Sequence, residues 1–154
     1  MPNEIERKFL LANDDWKSEV TRSVVLKQGY LNSTKERTVR VRISGEQAYL
    51  TIKGPVTGVT RAEYEYEIPV SDGLALIDLC EQPLIEKTRY FVPLGDHLWE
   101  IDVFTGANEG LTVAEIELTA EREAFIRPAW LGREVSDDVR YYNSSLIHRP
   151  FTSW

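Results

Sequence analysis

Charged side chains recur at every second position along several short segments of this 154-residue chain. The clearest case is Glu4-Ile5-Glu6-Arg7-Lys8, in which Glu4, Glu6 and Lys8 are two residues apart. Because side chains alternate across a β-strand, these three groups would share one face while Ile5 lies on the other. Two carboxylates and an ammonium group on one face form either a solvated surface or part of a site for a charged ligand.

The same spacing produces doublets of like charge elsewhere: Arg40 with Arg42, Glu100 with Asp102, and Glu115 with Glu117. Like charges two apart on one strand repel, so each doublet destabilises the fold unless a counter-charge or an ion faces it. The cations on such faces are Lys8, Arg40, Arg42, Lys53, Lys87 and Arg89. The carboxylates are Glu4, Glu6, Glu63, Glu65, Glu67, Glu100, Asp102, Glu115 and Glu117.

Alternating hydrophobicity predicts the elements that carry these charges. Eight strands are predicted, at 4–11, 24–31, 38–43, 48–53, 61–68, 85–92, 98–104 and 111–118. Short helices are predicted at 13–20, 71–80, 121–126 and 136–147. Tyr64 and Tyr66 lie on the apolar face of their strand and are expected in the core. The pattern therefore predicts a mainly β (α+β) protein with antiparallel strands and a few peripheral helices, forming one domain over residues 1–154.

Closure of this sheet into a barrel would bring the charged faces together. If the apolar face points outward beneath the helices, every charged doublet projects into one shared interior. Arginine and lysine match phosphoryl oxygens, and arginine can bind them in a bidentate fork. Clustered carboxylates suit a hard cation such as Mg2+ or Mn2+, which often bridges protein to phosphates. The residues alone thus indicate a site for a metal ion and a polyphosphate.

The order of the charged segments resembles the CYTH domain, also called the triphosphate tunnel metalloenzyme family. The family's Glu-x-Glu-x-Lys signature matches Glu4-Ile5-Glu6-Arg7-Lys8. Further matches follow in order: Gln28-Gly29-Tyr30-Leu31, Val39-Arg40-Val41-Arg42, Leu50-Thr51-Ile52-Lys53, Glu63-Tyr64-Glu65, Glu86-Lys87-Thr88-Arg89-Tyr90, Trp99-Glu100-Ile101-Asp102-Val103-Phe104, Val113-Ala114-Glu115-Ile116-Glu117-Leu118 and Arg140-Tyr141-Tyr142-Asn143. The matches cover essentially the whole chain and look most like the short bacterial branch.

This resemblance implies an eight-stranded antiparallel closed β-barrel, with a C-terminal helix, whose tunnel binds a linear triphosphate and a divalent metal ion. By position it assigns phosphate binding to Lys8, Arg40, Arg42, Lys53, Lys87 and Arg89. It assigns metal binding to Glu4, Glu6, Asp102, Glu115 and Glu117, and orientation of the cations to Glu63, Glu65 and Glu100. Short bacterial relatives often have a lysine where this chain has Tyr142, and Arg140 is expected to supply that charge.

The expected activity is divalent-metal-dependent hydrolysis of inorganic triphosphate, with Mg2+ or Mn2+ as cofactor. Phosphoryl transfer requires mainly positioning and neutralisation of charge. Lys87, with Tyr30 as a partner, is the expected general base, because burial and neighbouring Arg89 would lower the pKa of its amine. A water molecule activated by the metal ion without a protein base is an equal alternative. An organic triphosphatase (for thiamine triphosphate or a nucleotide), a class IV adenylyl cyclase and a non-catalytic polyphosphate-binding module also remain open.

Composition limits the partners. The formal net charge of −7 argues against a dedicated binder of nucleic-acid polymers or anionic membranes. Cys80 is the single cysteine and excludes an intrachain disulfide, which fits a reducing compartment. No signal peptide and no apolar run of membrane-spanning length is evident, so we expect a cytoplasmic monomer or homodimer that binds a small-molecule polyphosphate. The isolated His97 and His148 are not expected to bind metal.

Overall fold

A computed structural model describes residues 3–154 of the chain. Its strands are β1 (Asn3–Leu11), β2 (Arg22–Thr34), β3 (Arg37–Ser44), β4 (Gln47–Lys53), β5 (Thr60–Ile68), β6 (Ile85–Leu94), β7 (His97–Thr105), β8 (Thr112–Leu118) and β9 (Leu131–Glu134). The α-helices are α1 (Val70–Ile77) and α2 (Asn143–Leu146). Short 3-10 helices cover Asp15–Glu19, Gly106–Asn108, Val139–Tyr141 and Phe151–Ser153.

Eight antiparallel strands close into a barrel in the order β1-β5-β4-β3-β2-β6-β7-β8, because β1 pairs with both β5 and β8. The closing ladder is short, since β1 pairs with β5 only at residues 3–5, where Glu4 lies opposite Arg61. Farther along β1, Phe9 and Leu11 pair with β9. The expected eight-stranded antiparallel closed β-barrel is therefore confirmed, and β9 is an additional strand that the sequence pattern did not predict.

Large aromatic side chains pack on the outside of the barrel, beside β1 and β7. Phe9 and Trp99 are fully buried there, together with Trp16 and Trp130 from the connecting segments. The ring centroids of Phe9 and Trp99 are 5.7 Å apart, and those of Trp99 and Trp130 are 5.5 Å apart, both edge to face. Such aromatic pairs contribute beyond the area that they bury. An external core leaves the barrel interior free to hold charged groups.

Apolar side chains close one end of the barrel interior. The strands contribute Tyr30, Ile85, Phe104 and Val113, and the C-terminal segment contributes Val135, Tyr141, Leu146 and Ile147 to the same buried cluster. Because side chains alternate along a strand, these strand residues share the inner face with the charged positions of β2, β6, β7 and β8. The interior is thus a cup with one apolar end, covered by the C-terminal segment, and one charged end.

The helices differ more from expectation. The helix expected at 71–80 is α1, which ends at Ile77. The long C-terminal helix expected at 136–147 is wrong, because extended Tyr142 separates the 3-10 helix Val139–Tyr141 from α2. The prediction at 121–126 is also wrong, since these residues form turns and irregular structure. The segment 13–20 contains a 3-10 helix. No helix within residues 3–154 has the length and hydrophobicity needed to cross a membrane.

The expectation that Tyr64 and Tyr66 are core residues also needs correction. Tyr66 is 56% exposed and Tyr64 is only half-buried. Helix α1 packs against β3 and β4, where Gly73 lies close to Ala48 and Ile43. Helix α1 covers β3 and β4 but not the outer face around Tyr66 on β5. The apolar residues of β5 alternate as predicted, but their face is partly in contact with solvent.

Candidate active site

A charged cavity of about 300 Å3 occupies the other end of the barrel interior. Its cations are Lys8, Arg40, Arg42, Lys53, Arg61, Lys87 and Arg89, and its carboxylates are Glu4, Glu6, Glu63, Glu65, Glu100, Glu115 and Glu117. Tyr30 also lines it. All the site residues expected from the sequence line this cavity except Asp102 and Arg140. The strand register therefore brings together the charges that the period-two pattern only placed on faces.

Ion pairs link cations and carboxylates around the cavity. The register sets these residues directly opposite each other: Lys8 with Glu115, Arg89 with Asp102, and Lys53 with Glu63. Lys53 Nζ lies 2.8 Å from a Glu4 oxygen and 3.3 Å from a Glu63 oxygen. Lys8 Nζ is 3.7 Å from Glu115 and donates a hydrogen bond of 3.0 Å to the Tyr141 carbonyl oxygen. Most of the cations are thus held in place before any substrate binds.

Asp102 does not line the cavity and forms ion pairs with two of the cations that do. It is fully buried, and its two oxygens accept hydrogen bonds of 2.8 and 2.9 Å from the Arg89 guanidinium. One of these oxygens is also 2.8 Å from Lys87 Nζ. Burial raises the pKa of Asp102, but attraction to Arg89 and Lys87 outweighs it and the pKa is lowered. Metal binding by Asp102 therefore stays a prediction, and in this structure both of its oxygens contact cations.

Arg140 lies outside the cavity. Its side chain is 51% exposed and forms a bidentate pair with Asp138, which also accepts a hydrogen bond from the Arg140 backbone N–H. The expectation that Arg140 binds substrate is corrected, because this local pair turns it outward. Tyr142 lines the cavity instead, with its ring centroid 5.9 Å from Lys8 Nζ.

Two of the carboxylates on β1 and β8, Glu6 and Glu117, form no ion pair within residues 3–154, whereas Glu4 and Glu115 do. Glu6 lies directly opposite Glu117. Burial, with repulsion from Glu115 and Glu4, raises the pKa of Glu6 well above its ordinary value. Burial and repulsion from Glu4 and Glu63 also raise the pKa of Glu117. One oxygen of Glu115 is buried without a hydrogen-bond partner. Neighbouring carboxylates that have no ion-pair partner within residues 3–154 fit a hard divalent cation.

This cluster would not enclose a metal ion by itself. Among residues 3–154, no group of three histidine, cysteine, aspartate or glutamate side chains is arranged to hold a metal ion. Mg2+ is usually bound by one or two carboxylates together with waters and substrate phosphates. The carboxylates on β1 and β8 therefore fit a metal ion that binds together with a phosphate ligand.

Lys87 is buried, and its amine forms an ion pair on one side and a hydrogen bond on the other. Its Nζ lies 2.8 Å from Asp102 Oδ2 and 3.0 Å from Asn143 Oδ1. Burial, together with repulsion from Arg89 and Arg42, outweighs the attraction to Asp102 and lowers the pKa of Lys87 to about 8. A neutral amine still donates two hydrogens, so the hydrogen bond to Asn143 Oδ1 is kept when Lys87 loses a proton. Its lone pair is then free to accept a proton in the cavity.

Several residues that line the cavity were not predicted from the sequence. Arg61 precedes Glu63 and Glu65 on the same face of β5, so the period-two pattern contained a signal for it. Ser136 lies in a turn after β9, and Asn143 and Ser144 lie in the first turn of α2; no periodicity in the sequence marks these three residues. Their place depends on how the C-terminal segment packs across the apolar end of the barrel.

A loop between β4 and β5 forms part of the cavity wall. Val56 and Val59 in this loop line the cavity. One oxygen of Glu121 accepts hydrogen bonds of 3.1 Å from the Val59 backbone N–H and of 3.1 Å from the Thr60 hydroxyl. Gly58 adopts a φ of +64°, and a Cβ added there would lie 2.6 Å from the same Glu121 oxygen. Glu121 thus fastens the loop, and only glycine fits beneath it.

Curated proteins similar to this chain are inorganic triphosphatases. The chain is 46% identical over 155 residues to an inorganic triphosphatase from Acetivibrio thermocellus, with 100% of this chain and 99% of the relative covered. It is 40% identical over 147 residues to an inorganic triphosphatase from Nitrosomonas europaea, with 93% and 95% covered.

Solved structures share the barrel. A crystal structure of an inorganic triphosphatase has 39% sequence identity and a TM-score of 0.68, and the match covers 96% of this chain and 95% of that one. A protein from Pyrococcus horikoshii with 20% identity and a TM-score of 0.61 is similar in fold over 77% of this chain and 80% of that one. The CYTH domain family model matches residues 2–150. The resemblance of the charged strands is therefore confirmed, and the chain belongs to the CYTH domain family.

Proposed function

We propose that this protein is a metal-dependent triphosphatase that hydrolyses inorganic triphosphate. The observation that carries this proposal is the cavity, in which seven cations and seven carboxylates line about 300 Å3 inside a barrel closed at its other end. The inorganic triphosphatases that are 46% and 40% identical to the chain support the same substrate. A linear triphosphate matches this cavity because its negative charge is spread along its length.

The cations hold the substrate. Lys8, Arg40, Arg42, Lys53, Lys87 and Arg89 are assigned to phosphoryl oxygens, since each of them lines the cavity. Asp102, Glu63, Glu65 and Glu100 are counter-charges that orient these cations. Valine and tyrosine are the only apolar or aromatic lining residues within 3–154, so a nucleobase would find little surface to bind. This lining favours inorganic triphosphate over an organic triphosphate or a cyclase substrate.

The carboxylates Glu4, Glu6, Glu115 and Glu117 would hold the metal ion, Mg2+ or Mn2+. When bound, the ion would neutralise phosphate charge as the bond to the leaving group breaks. Lys87 accepts the proton of the attacking water at Nζ, and Tyr30 lies in the same cavity as its partner. The water oxygen bonds to a terminal phosphorus, the bridging P–O bond breaks, and phosphate and pyrophosphate leave.

Phosphate release from tripolyphosphate, ATP and thiamine triphosphate tests the function. We expect fastest release from tripolyphosphate, dependence on Mg2+ or Mn2+, and loss of activity in excess chelator. Arg42→Ala should lower kcat/KM on the order of 100-fold, whereas Arg140→Ala, which removes an exposed cation, should leave it unchanged. Preferential turnover of an organic triphosphate, formation of cyclic AMP, or tight binding without phosphate release would each contradict the proposal.

Gly58→Ala should weaken substrate binding more than it affects folding. The new Cβ would lie 2.6 Å from the Glu121 oxygen, and the alanine would have to adopt a φ of +64°. We expect the loop to detach from Glu121 and KM for tripolyphosphate to rise on the order of fivefold, because the cavity wall loses its fixed position. Steady-state kinetics measure this effect.

Gly45→Ala is the matched control for Gly58→Ala. Gly45 has a φ of +58°, but nothing lies within 4 Å of an added Cβ. It therefore carries the same backbone cost in the turn between β3 and β4 without touching the cavity. Equal changes of KM in the two variants would show that the loop position does not control binding.

A further inference from the structure

Arg42 differs from the other cations assigned to phosphate because it has no carboxylate partner. The others form ion pairs: Lys8 with Glu115, Arg40 with Glu65, Lys53 with Glu4 and Glu63, Lys87 with Asp102, and Arg89 with Asp102 and Glu100. Within residues 3–154, Arg42 takes part in no ion pair. It nevertheless lines the cavity. Its charge is therefore the least compensated of the set.

Gln28 is the residue that contacts Arg42 instead. It lies directly opposite Arg42 in the β2–β3 ladder and has no exposed surface. Its amide oxygen accepts a hydrogen bond of 2.8 Å from Arg42 Nε. Because a guanidinium nitrogen only donates, the amide oxygen must face Arg42, and this fixes the orientation of the amide group. The amide nitrogen is left buried with no hydrogen-bond partner.

A neutral acceptor and a carboxylate would have different effects at this position. Both can fix the direction of a guanidinium, but only the carboxylate cancels its charge. Burial, together with repulsion from Arg40 and Arg89, lowers the pKa of Arg42 to about 9, against an opposing attraction to Asp102. The positive charge at Arg42 is thus costly in the empty cavity, and an anion would relieve that cost.

We propose that Gln28 is a positioning residue that holds the Arg42 guanidinium in place while leaving its charge free for a phosphoryl oxygen of the substrate. The inference rests on the proposed function for the identity of the anion. Sequence patterning assigned Gln28 no role because the residue is uncharged.

Gln28→Glu tests this arrangement, because it keeps the side-chain shape and places a carboxylate against Arg42. Calorimetric titration with tripolyphosphate, without metal ion so that no turnover occurs, measures Kd. We expect Kd to rise on the order of 100-fold, while the melting temperature of the ligand-free protein is unchanged or higher because a buried ion pair forms. A purely structural role for Gln28 would instead lower the melting temperature. A Kd equal to that of the wild type would overturn the proposal.

Gln28→Met provides a second measurement, and its comparison with the wild type tests the positioning role even if the glutamate variant does not fold. It removes the acceptor but leaves the Arg42 charge intact, so we expect a Kd between those of the wild type and Gln28→Glu. A wild-type Kd in the methionine variant would overturn the positioning role. If both variants fold, a Kd as weak as that of Gln28→Glu would contradict the claim that the uncancelled charge of Arg42 strengthens substrate binding. Asn32→Asp, on the same strand, makes the same charge change away from the cavity and should keep the wild-type Kd.

The titration separates this inference from the proposed function. If the wild type binds tripolyphosphate but releases no phosphate when metal is added, the function fails and the role of Gln28 is still measured. If the wild type hydrolyses tripolyphosphate and Gln28→Glu binds it equally well, the inference fails and the function stands. A wild type that does not bind tripolyphosphate overturns both.

Discussion

Glu6→Gln should remove most of the triphosphatase activity and should also make the metal-free protein more resistant to heat. Glu6 lines the cavity opposite Glu117, and no cation forms an ion pair with it within residues 3–154. We expect kcat/KM to fall at least on the order of tenfold, because a carboxylate assigned to the metal ion is lost. The same substitution removes a buried charge that Glu115 and Glu4 repel.

The gain in stability should depend on pH. Burial, Glu115 and Glu4 raise the pKa of Glu6 well above its ordinary value of 4.5, so the folded protein holds this proton more tightly than the unfolded chain does. Glu6 therefore contributes stability below its ordinary pKa, and that contribution is lost as the pH rises through the raised value. The melting temperature of Glu6→Gln relative to the wild type should increase over this range. A lower melting temperature at every pH would contradict this account.

Metal ions should reverse the order of stability. The proposed Mg2+ or Mn2+ ion would bind the folded state, so it should raise the melting temperature of the wild type more than that of Glu6→Gln. Glu67→Gln is the matched control, since Glu67 is an exposed residue of β5 that does not line the cavity. It should keep wild-type activity and the wild-type response to metal. Full wild-type activity in excess chelator would exclude the metal role of Glu6.

Local periodicity explains why so much of the cavity could be predicted from the sequence. Glu4, Glu6 and Lys8 share a face because neighbouring side chains in a strand alternate, and this holds whatever the strand pairs with. The same argument placed Arg40 and Arg42 on one face. Barrel closure does not follow from periodicity; the family resemblance implied it, and the pairing of β1 with both β5 and β8 confirms it. Family resemblance and periodicity therefore predict the same cavity residues where only the face of a single strand matters.

Contacts set by the pairing and packing of the folded chain explain which side-chain partners could not be predicted from the sequence. Asp102 belongs to a carboxylate doublet with Glu100, which suggested a metal ligand, but pairing of β7 with β6 puts it opposite Arg89. Asn143 contacts Lys87 only because the C-terminal segment crosses the end of the barrel. Arg140 is turned outward by Asp138, two residues away. Such contacts join segments far apart or irregular in structure, and no repeat in the sequence encodes them.

Lys87→Arg should retain substrate binding and lose turnover, which is the sharpest test of a protein base. Burial lowers the pKa of Lys87 to about 8, so the neutral amine becomes the main form above that pH. For the wild type we expect kcat to rise about tenfold per pH unit below pH 8 and to level off above it. Arginine stays protonated throughout, so kcat should fall on the order of 100-fold or more and the pH dependence should disappear, with KM little changed.

Asn143→Asp should shift the dependence of kcat on pH while the Lys87 amine is kept. The Asn143 amide oxygen accepts a hydrogen bond of 3.0 Å from Lys87 Nζ, and a carboxylate there would favour the charged ammonium. The pKa of Lys87 should therefore rise, and the bend in the kcat profile should move up by about one pH unit or more while the plateau is kept. Asn32→Asp makes the same charge change outside the cavity and should leave the bend in place. Near-normal kcat for Lys87→Arg at every pH, or a bend that Asn143→Asp does not move, would remove Lys87 as the base, because the titrating group would then have to be one that neither substitution touches.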